Sequence, residues 1–142
     1  MSAPDDIPHA TDADIRHLLT STTTWAVVGC SPDPSRDSHR VAAQLQRWGL
    51  RVLPVNPSLG EVLGVRCWPS LDAIPADEGV EVVDVFRRSE QAGVHVDEAI
   101  ALGAAGVWLQ LGVVDEQAAA RARAAGLRVV MDRCPLIEHP RL

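Results

Sequence analysis

Short, mostly apolar runs recur along the chain at intervals that suit strands separated by helices. Each run is four to seven residues long and is followed by a glycine or by polar residues. Runs of this kind are typical of parallel strands buried on both faces. The predicted strands are residues 25–28, 50–55, 80–86, 106–111 and 127–131. A shorter run at 65–68 predicts an additional edge strand, followed by one helical turn at 71–74.

The segments between these runs carry apolar residues at helical spacing. Ser38 opens a segment that ends at Gly49 and has one apolar face, formed by Val41, Ala42, Leu45 and Trp48. Three more helices are predicted: one capped by Thr11, one capped by Ser89 that ends at Gly103, and one capped by Asp115 that ends at Gly126. The tail at 132–142 contains two prolines and is expected to pack irregularly.

The alternation of buried strands with amphipathic helices predicts a single α/β domain. We expect a Rossmann-like, doubly wound parallel sheet of about five strands with helices on both faces. The domain is predicted to span residues 11–142. Residues 1–10 contain two prolines and no periodic pattern, so they are predicted to form a flexible N-terminal arm.

Composition narrows the function classes. The net charge is −6, and the 13 basic residues are all arginine, since the sequence contains no lysine. An acidic chain without tyrosine is a poor candidate for nucleic-acid binding, and the missing lysine excludes a P-loop. The three cysteines form no C-x-x-C pair, and no apolar run reaches the roughly 20 residues of a membrane helix. We therefore expect a cytoplasmic protein with no metal site, no membrane partner and no nucleic-acid partner.

The loop after the first predicted strand has the features of an anion site. Gly29 permits a tight turn and close approach of a ligand, and the following helix points its N-terminus at the same space. Arg36 and Arg40 stand at that helix start, where the helix dipole disfavours a cation unless an anion lies between them. The alternative is that these arginines pair with Asp33 or Asp37, which are close in sequence.

A standard NAD site is disfavoured by the sequence. The loop lacks the second and third glycines of G-x-G-x-x-G. The second strand ends in Asn56 rather than in the acidic residue that holds an NAD ribose.

Asp84 is unusual because it interrupts an apolar strand, and we expect it to face a backbone or arginine partner.

Five motifs, in order, resemble the small stand-alone CoA-binding proteins, which are similar to the N-terminal CoA-binding domain of the succinyl-CoA synthetase alpha subunit. The motifs are V-V-G-C-S-P-D-P-S-R-D-S (27–38), V-L-P-V-N-P (52–57), V-V-D-V-F-R-R (82–88), V-W-L-Q-L-G (107–112) and V-V-M-D-R-C (129–134), continuing into I-E-H (137–139). The resemblance covers residues 12–142 and implies a Rossmann-like fold that binds coenzyme A across the strand ends.

The resemblance also implies roles for particular residues. The pyrophosphate would meet the turn Gly29, Cys30, Ser31 and Pro32, ahead of the helix that Ser38 opens. Arg36 and Arg40 would contact phosphate oxygens. Val55, Asn56 and Pro57 would line the adenosine, Phe86 and Arg87 the middle of the ligand, and Gln110 the pantetheine arm. Cys30 departs from the small aliphatic residue that is more usual in this family.

Three function hypotheses follow. The leading one is binding of coenzyme A or acyl-CoA without catalysis, because the chain shows no catalytic motif and its five histidines are scattered. The alternatives are an NAD(P)- or CoA-dependent enzyme, and a protein-interaction module with a vestigial nucleotide site. A homo-oligomer is compatible with each of them. Cys134 follows the last strand, so a mixed disulfide with the thiol of CoA is a further hypothesis.

Overall fold

A five-stranded parallel sheet organises residues 9–142, the part of the chain that this computed structural model describes. In chain order the strands are β1 (Thr24–Val28), β2 (Arg51–Val55), β3 (Glu61–Val62), β4 (Val65–Arg66), β5 (Val82–Val85), β6 (Gly106–Leu109) and β7 (Arg128–Val130). The main sheet has the order β2-β1-β5-β6-β7, and every neighbouring pair in it is parallel. The predicted fold class is confirmed.

Five α-helices accompany the sheet within residues 9–142. They are α1 (Asp12–Thr20), α2 (Asp37–Arg47), α3 (Ser89–Leu102), α4 (Glu116–Ala124) and α5 (Pro135–Glu138). Apolar side chains of α1 and α2 share one core with Trp25, Val27 and Trp108 of the sheet. Those of α3 and α4 share a second core with Val85 and Leu109. Helices therefore cover both faces, as predicted.

The order of the strands creates a crevice at the carboxyl edge of the sheet. β1 lies between β2 and β5. The chain leaves β1 for β2 through α2, which packs on one face, and leaves β5 for β6 through α3, which packs on the other. Connections that depart to opposite faces leave open space between the ends of β1 and β5, where doubly wound sheets bind their ligands.

The short strand predicted at 65–68 is only partly correct. β3 and β4 form an antiparallel hairpin apart from the main sheet, and Trp68 alone bridges to Val55 at the sheet edge. The cause is a tight turn in which Leu63 (φ +56°) and Gly64 (φ +75°) both have positive φ. Two central residues of this kind match the turn that closes a two-residue hairpin.

Three local expectations are corrected. The tail is helical because Pro135 occupies the first turn of α5, where its missing N–H group is no loss. Ser89 lies within α3 and does not cap it, since its hydroxyl group accepts from the Val114 backbone N–H. α2 begins at Asp37, one residue before Ser38. Thr11 and Asp115 do cap α1 and α4 with their side chains.

The predicted flexible arm, residues 1–10, falls almost wholly outside the described residues. Only residues 9 and 10 of the arm are described. The backbone carbonyl oxygen of His9 accepts a hydrogen bond from the Met131 backbone N–H at 2.7 Å.

Candidate functional site

A cleft of about 950 Å³ opens at the carboxyl edge of the sheet. The loop after β1, the start of α2, the segments after β5 and β6, and α5 form its walls. Eight of the residues predicted for the site line it: Gly29, Ser31, Arg36, Ser38, Arg40, Phe86, Arg87 and Gln110. Its volume is near the upper end of the range for small-molecule sites.

Gly29 allows the loop to pass against the end of β5. Its φ is +79°, and a Cβ atom added there would lie 2.6 Å from the carbonyl oxygen of Phe86. No L-residue with a side chain fits such a contact without movement of the backbone. The loop is tied to the sheet by the Gly29 N–H, which donates to Val55 O at 2.9 Å.

The N-terminus of α2 faces this loop. Arg36 is the N-cap residue and supplies no side-chain cap. The first backbone bond of the helix runs from the Arg40 N–H to Arg36 O, so the N–H groups of the first turn have no acceptor within the helix. Buried Ser38 instead accepts a hydrogen bond from the Ser31 N–H at 3.0 Å, which fixes the loop over the helix start. The arrangement suits a bound anion.

Four arginines line the cleft: Arg36, Arg40, Arg87 and Arg88. Arg40 pairs with Asp37 and donates to Ser35 O at 2.8 Å, so the local pairing left open by the sequence occurs for this residue. Within residues 9–142 the guanidinium groups of the other three make no hydrogen bond or salt bridge. Three cationic groups are therefore available to a ligand.

Asp33, the other candidate partner, is held by a serine rather than by an arginine. Its carboxylate accepts from both the backbone N–H and the hydroxyl of Ser35, at 2.9 and 2.8 Å. These bonds lower the pKa of Asp33, and the charge of Arg36 contributes less. Arg36 is thus not neutralised by a direct contact with Asp33.

Gln110 lines the cleft and is bonded to a buried acid, Asp84, which does not line it. Asp84 is fully buried on β5, between Val27 of β1 and Trp108 of β6. Its Oδ1 accepts a hydrogen bond from Gln110 Nε2 at 2.8 Å, and its Oδ2 has no partner among the described residues. Burial raises the pKa of Asp84 to about 8, while the bond from Gln110 opposes the rise. The expected backbone or arginine partner is therefore wrong, because an amide fills that place.

Cys134 lines the cleft beside α5, and its side chain is partly buried. Burial raises the pKa of its thiol, whereas hydrogen bonds from the Leu136 and Ile137 backbone N–H groups lower it. Cys30 is completely buried, and burial raises the pKa of that thiol to about 12. Cys134 is accordingly the accessible thiol of the site.

Five predicted site residues lie outside the cleft: Cys30, Pro32, Val55, Asn56 and Pro57. The side chain of Asn56 makes two hydrogen bonds to the backbone. Its Nδ2 donates to Cys30 O at 3.1 Å, and its Oδ1 accepts from the Ser58 N–H. These bonds join the loop after β1 to the turn after β2. That Val55, Asn56 and Pro57 line the adenosine stays a prediction.

Sequence reasoning missed four apolar residues that line the cleft. They are Leu111, Val113, Leu136 and Ile137, of which Leu111 and Ile137 are exposed. Helix α5 contains Leu136 and Ile137. An irregular tail was expected from the sequence, so these two lining residues were not predicted. Arg88 and Gln91 were also missed as lining residues.

Residues 9–142 contain neither a metal-binding cluster nor a membrane-spanning helix. No group of three or more His, Cys, Asp or Glu side chains is placed to hold a metal ion. Nor does any helix in this range combine the length and apolar character needed to cross a membrane.

Fold and site together define a Rossmann-like α/β domain with a cationic cleft at the carboxyl edge of its sheet. The model of the CoA-binding domain family matches residues 23–140, and the chain belongs to that family. It is also 39% identical over 127 residues to the uncharacterized protein YneT of Bacillus subtilis (strain 168). The aligned region covers 89% of this chain and 93% of YneT.

Solved structures share this fold. A hypothetical protein from Pyrococcus horikoshii OT3 is 41% identical with a TM-score of 0.86, covering 100% of this chain and 96% of that one. The dinucleotide-forming acetyl-coenzyme A synthetase 1 of Ca. Korarchaeum cryptofilum, in its apo form, is 24% identical with a TM-score of 0.70. That match covers 83% of this chain and 28% of the synthetase, and it shows a shared fold.

Proposed function

We propose that the chain binds coenzyme A or an acyl-CoA in the cleft at the carboxyl edge of the sheet, without catalysis of its own. Membership of the CoA-binding domain family supports a CoA-binding role in general. The observation that carries the specific proposal is that one cleft is lined by the uncapped start of α2 and by Arg36, Arg87 and Arg88. Within residues 9–142 these three guanidinium groups have no hydrogen-bond or salt-bridge partner.

The chemistry of the ligand fits this site. Coenzyme A carries a pyrophosphate and a 3′-phosphate, and such groups are bound by helix N-termini and by guanidinium groups. Arg36, at the start of α2, and Arg87, beside Gly29, are the proposed phosphate contacts. Arg40 remains a candidate that would exchange part of its interaction with Asp37 for the ligand.

The lining of the cleft is also partly apolar. Leu111, Val113, Leu136 and Ile137 contribute to it together with the arginines. An apolar lining suits the pantetheine arm and an attached acyl group, and it would be of little use to a second nucleotide. The proposal therefore favours CoA or acyl-CoA over NAD.

The setting proposed for this function is the cytoplasm. All three cysteines are free, and Cys30 and Cys67 are buried. Unpaired thiols are typical of proteins in a reducing compartment.

An arginine substitution tests the proposed phosphate site. We expect Arg36→Ala to weaken CoA binding by about 1.5–3 kcal/mol, the range for a charged hydrogen bond. The matched control is Arg47→Ala, at the other end of the same helix, where the guanidinium donates to Gln44 Oε1. Calorimetric titration of both variants with CoA should show a loss for Arg36→Ala alone. Equal affinities for both variants and the parent would refute the phosphate assignment.

A further inference from the structure

The C-terminal segment after Cys134 is attached to the rest of the protein by packing alone. Within residues 9–142, the hydrogen bonds and the salt bridge of residues 135–142 all remain inside the segment 134–142. The root of the segment is tied to the sheet, because Trp108 Nε1 donates to Arg133 O at 2.9 Å. Beyond that root, apolar and aromatic contacts hold the segment in place.

One of these contacts is a ring stack at the far end of α5. The imidazole of His139 lies on the indole of Trp48, with ring centroids 3.9 Å apart and ring planes inclined by 14°. Trp48 is the C-cap residue of α2 and lies about 16 Å along that helix from Asp37, which lines the cleft. The stack is therefore remote from the start of α2, where the phosphates are proposed to bind.

The residues between the two attachments form part of the cleft. Leu136 and Ile137 line it, and Ile137 is 44% exposed. Leu136 also packs against the core that α1 and α2 share with the sheet. The wall is fixed at Arg133 on one side and at His139 on the other, so loss of the stack would free one end of it.

We propose that His139 and Trp48 are positioning residues, whose stack fixes α5 as a wall of the cleft and so sets the affinity for the apolar part of the ligand. This inference rests on the proposed function, and it assigns a role to the I-E-H motif (137–139). Ile137 lines the cleft, Glu138 is buried, and His139 holds the far end of the wall. His139 and Trp48 do not themselves line the cleft.

The test compares two ligands that share adenosine and its phosphates. Butyryl-CoA has a pantetheine arm and an apolar acyl group, whereas adenosine 3′-phosphate 5′-diphosphate has neither. Displacement of α5 should weaken the contacts of the arm and the acyl group and leave those of the phosphates unchanged. We expect His139→Ala to lower the ratio of the two affinities about fourfold, the effect of one methylene group that loses its apolar contact. Calorimetric titration at one pH measures both affinities.

An aromatic replacement separates the stack from the other properties of the imidazole. His139→Phe keeps a flat ring for Trp48 and should restore the ratio of the parent. Trp48→Leu should lower the ratio as His139→Ala does. The double variant should lose no more than either single variant, since all three lack the same stack.

Thr11→Ala is the control for a general loss of stability. It removes the side-chain cap of α1, a helix that does not line the cleft. The unfolding free energy of this variant should fall, while its ratio of affinities should equal that of the parent.

Hydrogen exchange gives a readout that needs no ligand. The Ile137 and Glu138 N–H groups both donate to Cys134 O at 3.0 Å. In His139→Ala these two amides should exchange faster than in the parent, and His139→Phe should protect them again. Unchanged exchange in His139→Ala would show that the stack does not hold α5, and it would overturn the inference whether or not CoA binds.

The binding outcomes separate this inference from the proposed function. If the parent and His139→Ala have the same ratio, the positioning role is wrong and the CoA site stands. An equal loss of affinity for both ligands contradicts it as well, since that is a general loosening of the fold, and so does a failure of His139→Phe to restore the ratio. A parent that binds neither ligand refutes the proposed function and, with it, the inferred effect on affinity. Should Trp48→Leu not fold, the two His139 variants decide alone.

Discussion

The carbonyl oxygen of Phe86 lies 2.6 Å from the position that a Cβ atom of residue 29 would occupy. This close approach brings the end of β5 under the loop after β1, and with it Arg87 to the edge of the cleft. The glycine therefore shapes the site through the backbone, and its role depends on the absence of a side chain.

Gly29→Ala should destabilise the fold through two effects, a strained φ of +79° and the clash with Phe86. Gly49→Ala is a matched control, since Gly49 has a φ of +89° and open space at the Cβ position. We expect Gly29→Ala to lose at least about 1 kcal/mol more of unfolding free energy than Gly49→Ala in urea denaturation. Equal losses would mean that the loop relaxes away from Phe86 without cost.

Asp84 should make the protein less stable as the pH rises. Its pKa is about 8 in the folded state against an ordinary value of 3.8, so the folded state binds more protons between these values. The stabilisation is complete below pH 3.8 and is lost progressively as the pH rises towards about 8. Urea denaturation from about pH 6 to 8 should show unfolding free energy falling in the parent and a flatter profile in Asp84→Asn.

Other shifted groups do not disturb that measurement. Glu81 and Asp33 have lowered pKa values and are ionised in both states at neutral pH. Cys30 begins to contribute only above its ordinary value of 9. A parent whose stability is constant or rises between pH 6 and 8 would contradict the assignment of a protonated Asp84.

Cys134 should be the first cysteine to be alkylated in the folded protein. It lines the cleft and is partly exposed, whereas Cys30 and Cys67 are 0% and 5% exposed. Because burial raises the pKa of the Cys134 thiol, its reaction with a maleimide should be slow at neutral pH and accelerate in alkaline buffer. Intact-mass analysis should show one early adduct that Cys134→Ser abolishes.

Bound CoA should protect Cys134 from this reaction. The thiol lies at the same edge of the sheet as Gln110, where the pantetheine arm is proposed to bind. Unchanged alkylation in the presence of saturating CoA would place the ligand elsewhere.

Much of this fold is encoded locally. The five main strands are apolar runs bounded by glycines or polar residues, and Thr11 and Asp115 cap their helices as their positions in the sequence suggest. The hairpin at 61–66 was missed because it depends on Leu63 adopting a positive φ, which no side-chain pattern reveals. Helix α5 was missed because the prolines of the tail suggested irregular structure, although proline is favoured in a first helical turn.

The bond between Gln110, which lines the cleft, and buried Asp84 is not predictable from local patterns. Asp84 and Gln110 are 26 residues apart, and they meet because β5 and β6 pair with Asp84 opposite Trp108. Gln110 then follows on the same face of the sheet, one pleat further along. The sequence marked Asp84 as unusual, but only the strand register identifies its partner.

The most direct test is a calorimetric titration of the parent protein with CoA, dephospho-CoA and NAD at two salt concentrations. We predict tight binding of CoA that weakens with salt, weaker binding of dephospho-CoA, which lacks the 3′-phosphate, and no heat with NAD. No heat with CoA, in folded protein free of co-purified ligand, would contradict the proposed function. The interaction-module hypothesis would then become the leading one.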